Sequence, residues 1–219
     1  MSSSEQPYIH ALRFSALTAL YDPVIALTTR EKTFKRALLD AAALQPNDCV
    51  LDVGCGTGTL AIQAKRREPA IDMHGIDGDP RILQRAQAKT EQAGLDIAYR
   101  EALSFELPYP DSHFNCVLSS LFFHHLTIQD KRRTFSEIHR VTDKNGRLLV
   151  ADWGAPQNLF MRLAFYGIQL LDGFETTRPN VQGRLPELMR EAGFSEVRII
   201  RNMATLFGTM TIYAACKQP

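Results

Sequence analysis

The sequence predicts an α/β fold in which a doubly wound, mostly parallel sheet carries helices on both faces. The first observation is an apolar run at residues 49–53, which stops at a glycine-rich turn and is followed by a helical pattern. The second is the continued alternation of strand and helix patterns along the chain. The third is a short link between the last two predicted strands, about 195–201 and 206–216, which favours an antiparallel last strand.

Length and composition indicate one globular domain of 219 residues, with 45% hydrophobic and 22% charged residues. The formal net charge of +1 argues against a strongly basic surface for nucleic acid. No stretch approaches the roughly 18 apolar residues of a membrane span. Residues 1–7 are polar and do not resemble a secretion signal, so we expect a cytoplasmic protein.

The four cysteines are spread along the chain without a C-x-x-C pair. They are Cys49, Cys55, Cys116 and Cys216. This spacing favours reduced core residues over a disulfide framework or a metal site. We therefore expect no metal.

Residues 1–44 are predicted to form an N-terminal helical cover. A first apolar stripe ends at Tyr21, and a second helix runs from about Thr29, its predicted N-cap, to Leu44. Two interpretations remain open: the helices cover a ligand pocket, or they only close one side of the core. If they cover a pocket, Tyr21 is the residue expected to line it.

The glycine turn carries Gly54, Gly56 and Gly58, spaced two apart, directly after the carboxylate of Asp52. Glycines allow a ligand to approach the backbone closely, and the following helix N-terminus offers free N–H donors. The spacing differs from the G-x-G-x-x-G/A fingerprint of dinucleotide sites. A carboxylate at Asp52 would repel a pyrophosphate but attract an ammonium or sulfonium group.

The second predicted strand delivers Asp77 at its carboxyl end, about twenty residues after the glycines. A carboxylate in this place can accept hydrogen bonds from the ribose hydroxyls of an adenosyl ligand. The alternative is that Asp77 caps the next helix. Asp79, followed by Pro80 and a helix that stops at Gly94, already serves as that cap, which favours the ribose interpretation.

Two motifs carry a resemblance to a known family. The stretch Asp52-Val-Gly-Cys-Gly-Thr-Gly58 resembles motif I of the class I S-adenosylmethionine (SAM)-dependent methyltransferases. The stretch Leu107-Pro-Tyr-Pro-Asp-Ser-His-Phe-Asn115 is similar to the Leu-Pro-Phe-Pro-Asp-x-x-Phe-Asp segment of the ubiquinone/menaquinone-biosynthesis-like (methyltransferase type 11) branch, with Tyr109 for Phe and Asn115 for Asp. The resemblance covers about residues 48–152 and extends more loosely to the end.

The resemblance implies a Rossmann-like, seven-stranded sheet, with SAM as cofactor and S-adenosylhomocysteine (SAH) as product. It divides the single domain into the cover, a cofactor-binding core at 45–152, and an apolar lid helix with the C-terminal strands at 153–219. The loop 54–58 would approach the amino-acid part and the ribose of SAM. The turn after strand three would approach the adenine, and the end of strand four would approach the methionine side. The cofactor-binding residues expected on this basis are Tyr21, Asp52, Gly54, Cys55, Gly56, Thr57, Gly58, Asp77, Gly78, Ala102, Leu103, Ser104, Ser119 and Leu121.

A histidine pair, His124 and His125, follows the fourth predicted strand and should face the reacting group. Because imidazole titrates near neutral pH, either histidine is a candidate general base. Consecutive helical residues point about 100° apart, so at most one can face the pocket. Pocket lining or capping is the alternative role.

The segment 159–174 is apolar nearly all round and is predicted to form one helix. Burial, a lid over an apolar substrate, and contact with a membrane surface or a second copy all remain open interpretations.

The function predicted from these features is methyl transfer from SAM to a small acceptor of apolar, aromatic or lipid-like character. The Asn/Asp-Pro-Pro-Tyr/Phe motif that presents amino groups is missing, because residues 119–122 read Ser-Ser-Leu-Phe. The charge near zero favours a small molecule over nucleic acid. One alternative is a SAM-binding protein that is inactive alone or needs a partner. The other is an NAD(P)-linked oxidoreductase, whose G-x-G-x-x-G glycine spacing is not found.

Overall fold

The computed structural model describes residues 30–218. The first predicted helix, Tyr21 and the predicted N-cap Thr29 therefore lie outside the described residues. The second predicted helix is present as α1, Glu31–Ala42, and it packs on the sheet through Phe34, Leu38 and Leu39.

The strands form one seven-stranded sheet in the order β3-β2-β1-β4-β5-β7-β6. They are β1 Cys49–Val53, β2 Asp72–Asp77, β3 Ala98–Glu101, β4 Phe114–Ser120, β5 Thr142–Trp153, β6 Ser195–Ala204 and β7 Thr209–Cys216. Strands β1 to β5 pair in parallel, and β7 is antiparallel to both β5 and β6. The predicted doubly wound α/β fold with a reversed last strand is confirmed.

Helices connect the strands and cover both faces of the sheet. They are α2 Thr59–Arg67, α3 Pro80–Gln92, α4 Ile128–Val141, α5 Leu159–Asp172, α6 Phe174–Val181 and α7 Leu185–Glu191, with a 3-10 helix at Phe123–His125. Alternate residues of β1 face opposite clusters of buried side chains: Val50 packs with α1 and α2, and Leu51 with α4 and α7. None of the helices in the described part of the chain is long and apolar enough to cross a membrane.

The stretch Asp143-Lys-Asn-Gly146, whose composition is typical of a turn, lies inside β5. Its backbone is held by the end of the chain, because Asn145 N–H donates to Lys217 O and Lys217 N–H donates to Gly146 O, both at 2.9 Å. Asn145 nevertheless has a φ of +64°, a left-handed conformation that asparagine tolerates better than most residues. The sequence signal for a turn was therefore real: the register of β5 with β4 jumps from Thr142 to Arg147, across these residues.

The apolar segment 159–174 is not one helix. Gly173, with a φ of +96°, separates α5 from α6, so Phe174 begins the next helix. Only one side of α5 is buried, through Phe165 and Ile168. Six large apolar side chains of the segment are between 41% and 75% exposed: Leu159, Phe160, Leu163, Tyr166, Leu170 and Phe174. Within the described residues, the burial interpretation of this face is wrong.

Candidate functional site

The glycine turn after β1 stands at the carboxyl edge of the sheet, and its three glycines all have positive φ, at +69°, +54° and +73°. A Cβ at Gly54 would lie 2.2 Å from the Phe122 ring, and one at Gly58 would lie 2.3 Å from the Tyr99 hydroxyl. Packing within the protein therefore requires these two glycines. A Cβ at Gly56 would meet no atom of residues 30–218 within 4 Å. Gly56 thus borders open space, where a ligand can approach the backbone.

Asp77, at the end of β2, ties the loop to the neighbouring strand. Its Oδ2 accepts a hydrogen bond from Gly56 N–H at 2.9 Å, and its Oδ1 accepts one from Asp79 N–H at 3.1 Å. Burial raises the pKa of Asp77, while the backbone N–H groups of Asp79, Gly56 and Gly78 oppose the shift. Asp79 caps α3 by accepting from Arg81 N–H at 2.8 Å, as predicted.

Asp52 lies in β1 directly beneath the loop and is only 1% exposed. Neither carboxylate oxygen makes a hydrogen bond of good geometry with the described residues. Burial raises the pKa of Asp52 to about 7, Asp77 adds to the increase, and Lys35 of α1 opposes it. A buried, poorly compensated carboxylate favours a nearby cation.

The other loop side chains point away from the open space. Cys55 is buried, its N–H donates to Ile76 O at 2.9 Å, and burial raises the pKa of its thiol well above the usual value. The Thr57 hydroxyl accepts a hydrogen bond from Lys89 Nζ at 2.8 Å. Cys55 can therefore offer a ligand only its backbone, whereas the partly exposed Thr57 hydroxyl already contacts Lys89.

The turn after β3 is brought to the same edge, because Ala102 N–H donates to Asp77 O at 3.1 Å. Leu103 is 37% exposed. Ser104 is buried, and its hydroxyl lies 2.8 Å from the Thr134 hydroxyl of α4. The structure therefore brings Ala102 and Leu103 towards the candidate site but turns the Ser104 side chain into the interior.

The end of β4 shows a similar division. Ser119 is fully buried, and its hydroxyl donates to Val53 O at 2.8 Å, so this side chain bridges two strands and does not reach the site. Leu121 has a φ of +53° and donates its N–H to Ala151 O at 2.9 Å. This left-handed residue turns the chain so that Phe122 reaches over Gly54.

Asp152, near the end of β5, organises the segment that holds the histidine pair. Its carboxylate accepts from Phe122 N–H at 3.1 Å, from Trp153 N–H at 2.7 Å and, at 2.8 Å, contacts His124 Nδ1. Burial alone would raise the pKa of Asp152, but the charge and hydrogen bond of His124 outweigh it, so the pKa lies below its usual value.

The two histidines have different surroundings. His124 is buried against Asp152, whereas His125 is half-buried with its ring centroid 3.9 Å from that of His124. Burial, with the charge of His124, lowers the pKa of His125 well below its usual value. His125 is therefore neutral near pH 7, and its lowered pKa also makes it a weaker base than an ordinary histidine, while Asp152 fixes the orientation of His124.

Sequence reasoning missed Asp152 and Lys131. Asp152 has the same signal as Asp77, a carboxylate near the end of an apolar strand, and could have been found by it. Lys131 had no such signal. It is fully buried, donates to Thr176 O of α6 at 2.8 Å, and burial lowers its pKa to about 8. Lys131 thus joins α6 to the histidine segment.

Comparison with known proteins agrees with this arrangement. A family model described as a methyltransferase domain matches residues 50–146. The chain is 31% identical over 145 residues to a demethylmenaquinone methyltransferase of Thermus thermophilus, covering 65% of this chain and 65% of the relative. It is 32% identical over 146 residues to one of Deinococcus radiodurans, covering 65% of this chain and 59% of the relative.

The chain thus matches somewhat less than two thirds of the length of these two relatives. Among solved structures, a protein from Bacillus halodurans described as a putative methyltransferase has a TM-score of 0.67 at 21% identity, covering 84% of this chain and 99% of that one. This likeness concerns the fold. The match to the family model, over residues 50–146, includes the glycine turn, Asp77 and the histidine pair.

Proposed function

Because the chain belongs to the class I SAM-dependent methyltransferases, we propose that it transfers the methyl group of SAM to a small, apolar acceptor. The observation that carries the proposal is the cradle at the carboxyl edge of the sheet. Gly56 faces open space there, between a loop held by Asp77 and the buried carboxylate of Asp52. Ligands of open α/β sheets bind at this edge.

The residues of the cradle fit SAM. The Asp77 carboxylate retains lone pairs beyond its two backbone hydrogen bonds, so it can also accept from ribose hydroxyls. Asp52 would favour the cationic part of the cofactor through the field at the base of the loop. Ala102 and Leu103 would border the adenine. When bound, SAM supplies a methyl group on a positively charged sulfur, so the protein's main task is to position the acceptor.

The exposed apolar face of α5 supports an apolar acceptor. It adjoins an open cleft of about 490 Å³ lined by Tyr166, Phe174 and Val181 together with polar residues that include Arg162 and Arg178. The cleft lies beyond the carboxyl end of β5, the edge that also carries the glycine turn. The names of the two matched relatives, both demethylmenaquinone methyltransferases, point to the same acceptor class.

Within this proposal the histidines take different roles. His125 is the candidate base that removes a proton from the acceptor, because its ring is half-buried in the segment after β4 and neutral near pH 7. Its lowered pKa restricts this role to an acceptor that carries an acidic proton. His124, held by Asp152, is a positioning residue that keeps the segment after β4 in place. The His125→Gln variant should keep the affinity for SAM and lose turnover. Full turnover in this variant would remove the base from the proposal.

The experiment is calorimetric titration of the full chain with SAM, SAH and NADH, followed by transfer of labelled methyl from SAM to a panel of apolar naphthols and quinols. Binding of the two adenosyl ligands but not NADH, with label in an apolar product, is expected. NADH binding alone would contradict the cofactor assignment. Binding of SAM without transfer to any acceptor would favour the binding protein that is inactive alone or needs a partner.

The α5 face can be tested with a matched control. The Phe160→Ser and Leu170→Ser variants should raise KM for apolar acceptors without changing SAM affinity, because both side chains are about 75% exposed. Ile199→Ser, which removes a 53% exposed side chain on β6, should leave KM unchanged. Equal KM in all three variants would show that α5 does not contact the acceptor.

A further inference from the structure

The opposite, amino-terminal edge of the sheet carries a cluster of side chains that the proposed methyl transfer does not use. Cys49 begins β1, His74 lies in β2, and His113 directly precedes β4. One possible metal-ligating atom from each of the three side chains lies within 4.8 Å of the other two. Asp72, which begins β2 and pairs with Cys49 in the sheet register, adds a carboxylate.

The distances are close to those of a tetrahedral site. His74 Nε2 lies 3.2 Å from Asp72 Oδ2, and Cys49 Sγ lies 4.0 Å from the same oxygen. Bond lengths of 2.0–2.3 Å for zinc place neighbouring ligand atoms roughly 3.3–3.8 Å apart. The Cys49, His74 and His113 ligand atoms, all within 4.8 Å of one another, would have to approach by about 1 Å to bind one ion, and Asp72 would complete the set by turning its exposed carboxylate towards them.

The buried imidazole of His74 lacks hydrogen bonds. Both ring nitrogens are inaccessible to solvent, and neither makes a hydrogen bond of good geometry within residues 30–218, although Nε2 is near Asp72. Buried polar atoms are normally satisfied, so such an imidazole indicates a missing partner. A metal ion bound to His74 would supply it.

The backbone holds the four residues in place before any ion binds. Cys49 N–H donates to the Asn115 side chain at 2.8 Å, and His113 N–H donates to Val141 O at 2.8 Å. The Tyr109 ring stacks on the His113 ring at a centroid distance of 5.9 Å and meets the His74 ring edge-on at 5.6 Å. The ring orientations are thus set by aromatic packing.

Charge and access also suit a cation. Burial, together with the negative charges of Asp72 and Asp48, raises the pKa of the Cys49 thiol to about 11. The same negative surroundings favour a divalent ion, which would share the thiolate charge. The exposed ring of His113 and the 71% exposed Asp72 side chain leave the cluster open to solvent.

We propose that Cys49, Asp72, His74 and His113 bind a Zn²⁺-class transition-metal ion that links β1, β2 and the segment before β4. Thiolate, imidazole and carboxylate ligands in a four-coordinate set are typical of structural zinc. The site lies at the edge of the sheet opposite the candidate cofactor site, so its role is to stabilise the fold. The cluster is independent of the methyltransferase assignment.

The test is titration of the full chain, reduced and freed of metal, with Co²⁺ as a spectroscopic probe. One equivalent should give thiolate-to-cobalt charge-transfer absorption and the visible bands of a tetrahedral site, and Zn²⁺ should displace Co²⁺. The absorption should vanish in Cys49→Ser and remain in Cys216→Ser, which removes another thiol. His113→Gln should weaken binding by at least about tenfold, while His139→Gln should not.

Thermal melts with and without Zn²⁺ complete the experiment. Zn²⁺ should raise the Tm of the wild type and of His139→Gln more than that of His113→Gln, because binding to the folded state shifts the equilibrium. If Cys49→Ser does not fold, the comparison of His113→Gln with His139→Gln tests the proposal instead, because the His113 side chain is exposed. Absence of the charge-transfer band, its persistence in Cys49→Ser, or equal affinity in both histidine variants would overturn the proposal.

Discussion

The two edges of the sheet differ in how the chain builds them. At the carboxyl edge, each functional group lies at or just after the end of a strand: Gly54, Gly56 and Gly58 after β1, and Asp77 at the end of β2. At the amino edge, Cys49, Asp72, His74 and His113 come from three distant segments. Local sequence motifs therefore reveal the first edge, whereas only the register of the strands assembles the second.

The edges also differ in how they treat charge. At the carboxyl edge, the carboxylates of Asp52 and Asp152 are at most 1% exposed, so their charge acts in a low dielectric. At the amino edge, the Asp72 side chain is 71% exposed. The same substitution should thus have large effects at one edge and small effects at the other, which the following variants test.

The largest effect is expected for Asp152→Ala. The substitution removes the charge paired with His124 and the acceptor for the N–H groups of Phe122 and Trp153, so the protein should lose about 3–5 kcal/mol of unfolding free energy. Denaturant unfolding measures this loss, with EDTA present to keep the amino-edge cluster free of metal. Asp72→Ala is the control and should lose less than about 0.5 kcal/mol. Equal losses would abolish the contrast between the edges.

The second prediction concerns the pH dependence of stability through Asp52. The pKa of an aspartate is ordinarily 3.8, and burial raises that of Asp52 to about 7, so between these values Asp52 binds more protons in the folded state than in the unfolded state. The contribution of Asp52 to wild-type stability should therefore fall as pH rises from 4 to 7. Asp52→Asn does not titrate and should be more stable than the wild type at pH 8, by at most about 4 kcal/mol.

Denaturant unfolding of both proteins at pH 4.5 and pH 8 checks this sign, because the advantage of Asp52→Asn should shrink at the lower pH. Asp72→Asn should show no such pH-dependent gain. If Asp52→Asn were less stable than the wild type at pH 8, the carboxylate would have to be compensated in the folded protein, contrary to its missing hydrogen bonds.

The third prediction uses two glycines with similar backbone conformations. Gly56 and Gly94 have φ values of +54° and +66°, and a Cβ at either would meet no atom within 4 Å. Valine should therefore strain both positions to a comparable extent. Only Gly56→Val places a side chain in the cradle, so it should weaken SAM binding at least about 100-fold, or about 2.7 kcal/mol.

Calorimetric titration with SAM separates the two variants, with unfolding midpoints as the check on strain. Gly94→Val, at the end of α3, should bind SAM like the wild type. Comparable SAM affinity in both variants would mean that the cofactor does not approach Gly56.

The same contrast explains how far the sequence could predict the molecule. The sheet, its order of elements and the glycine turn follow from apolar strands, the G-x-G-x-G spacing and the Asp79 cap, all local signals. The inward orientation of the Ser104 and Ser119 hydroxyls could not be predicted from such signals, because their partners, Thr134 and Val53, are 30 and 66 residues away in the chain. The exposure of one face of α5 was left open among three interpretations, because apolar composition alone cannot show which side of a helix is covered.

The cluster of candidate metal ligands at the amino edge could not be recognised in the sequence for the same reason. The absence of a C-x-x-C pair argued against a metal site, but spacing rules detect only ligands that are close in sequence. Cys49 and Asp72 become neighbours only because β1 and β2 pair in one register. A shift of that register by one residue would turn His74 to the other face of the sheet.

The smallest effect is expected at Asp77, where two roles have to be separated. Asp77→Ala should weaken SAM binding by about 1–3 kcal/mol, because it removes an acceptor for ligand hydroxyls. It also removes the hydrogen bond that holds Gly56 N–H, so a loss of affinity alone does not identify a ribose contact.

Titration of the wild type and Asp77→Ala with SAH and its 2′-deoxy analogue separates the two roles. If Asp77 binds the ribose, the wild type should prefer SAH, and Asp77→Ala should lose most of that preference. Asp79→Ala, which removes only the α3 cap, should lower stability by about 0.5–2 kcal/mol and keep the preference. An undiminished preference in Asp77→Ala would leave the carboxylate with a purely structural role, fastening the glycine loop to β2.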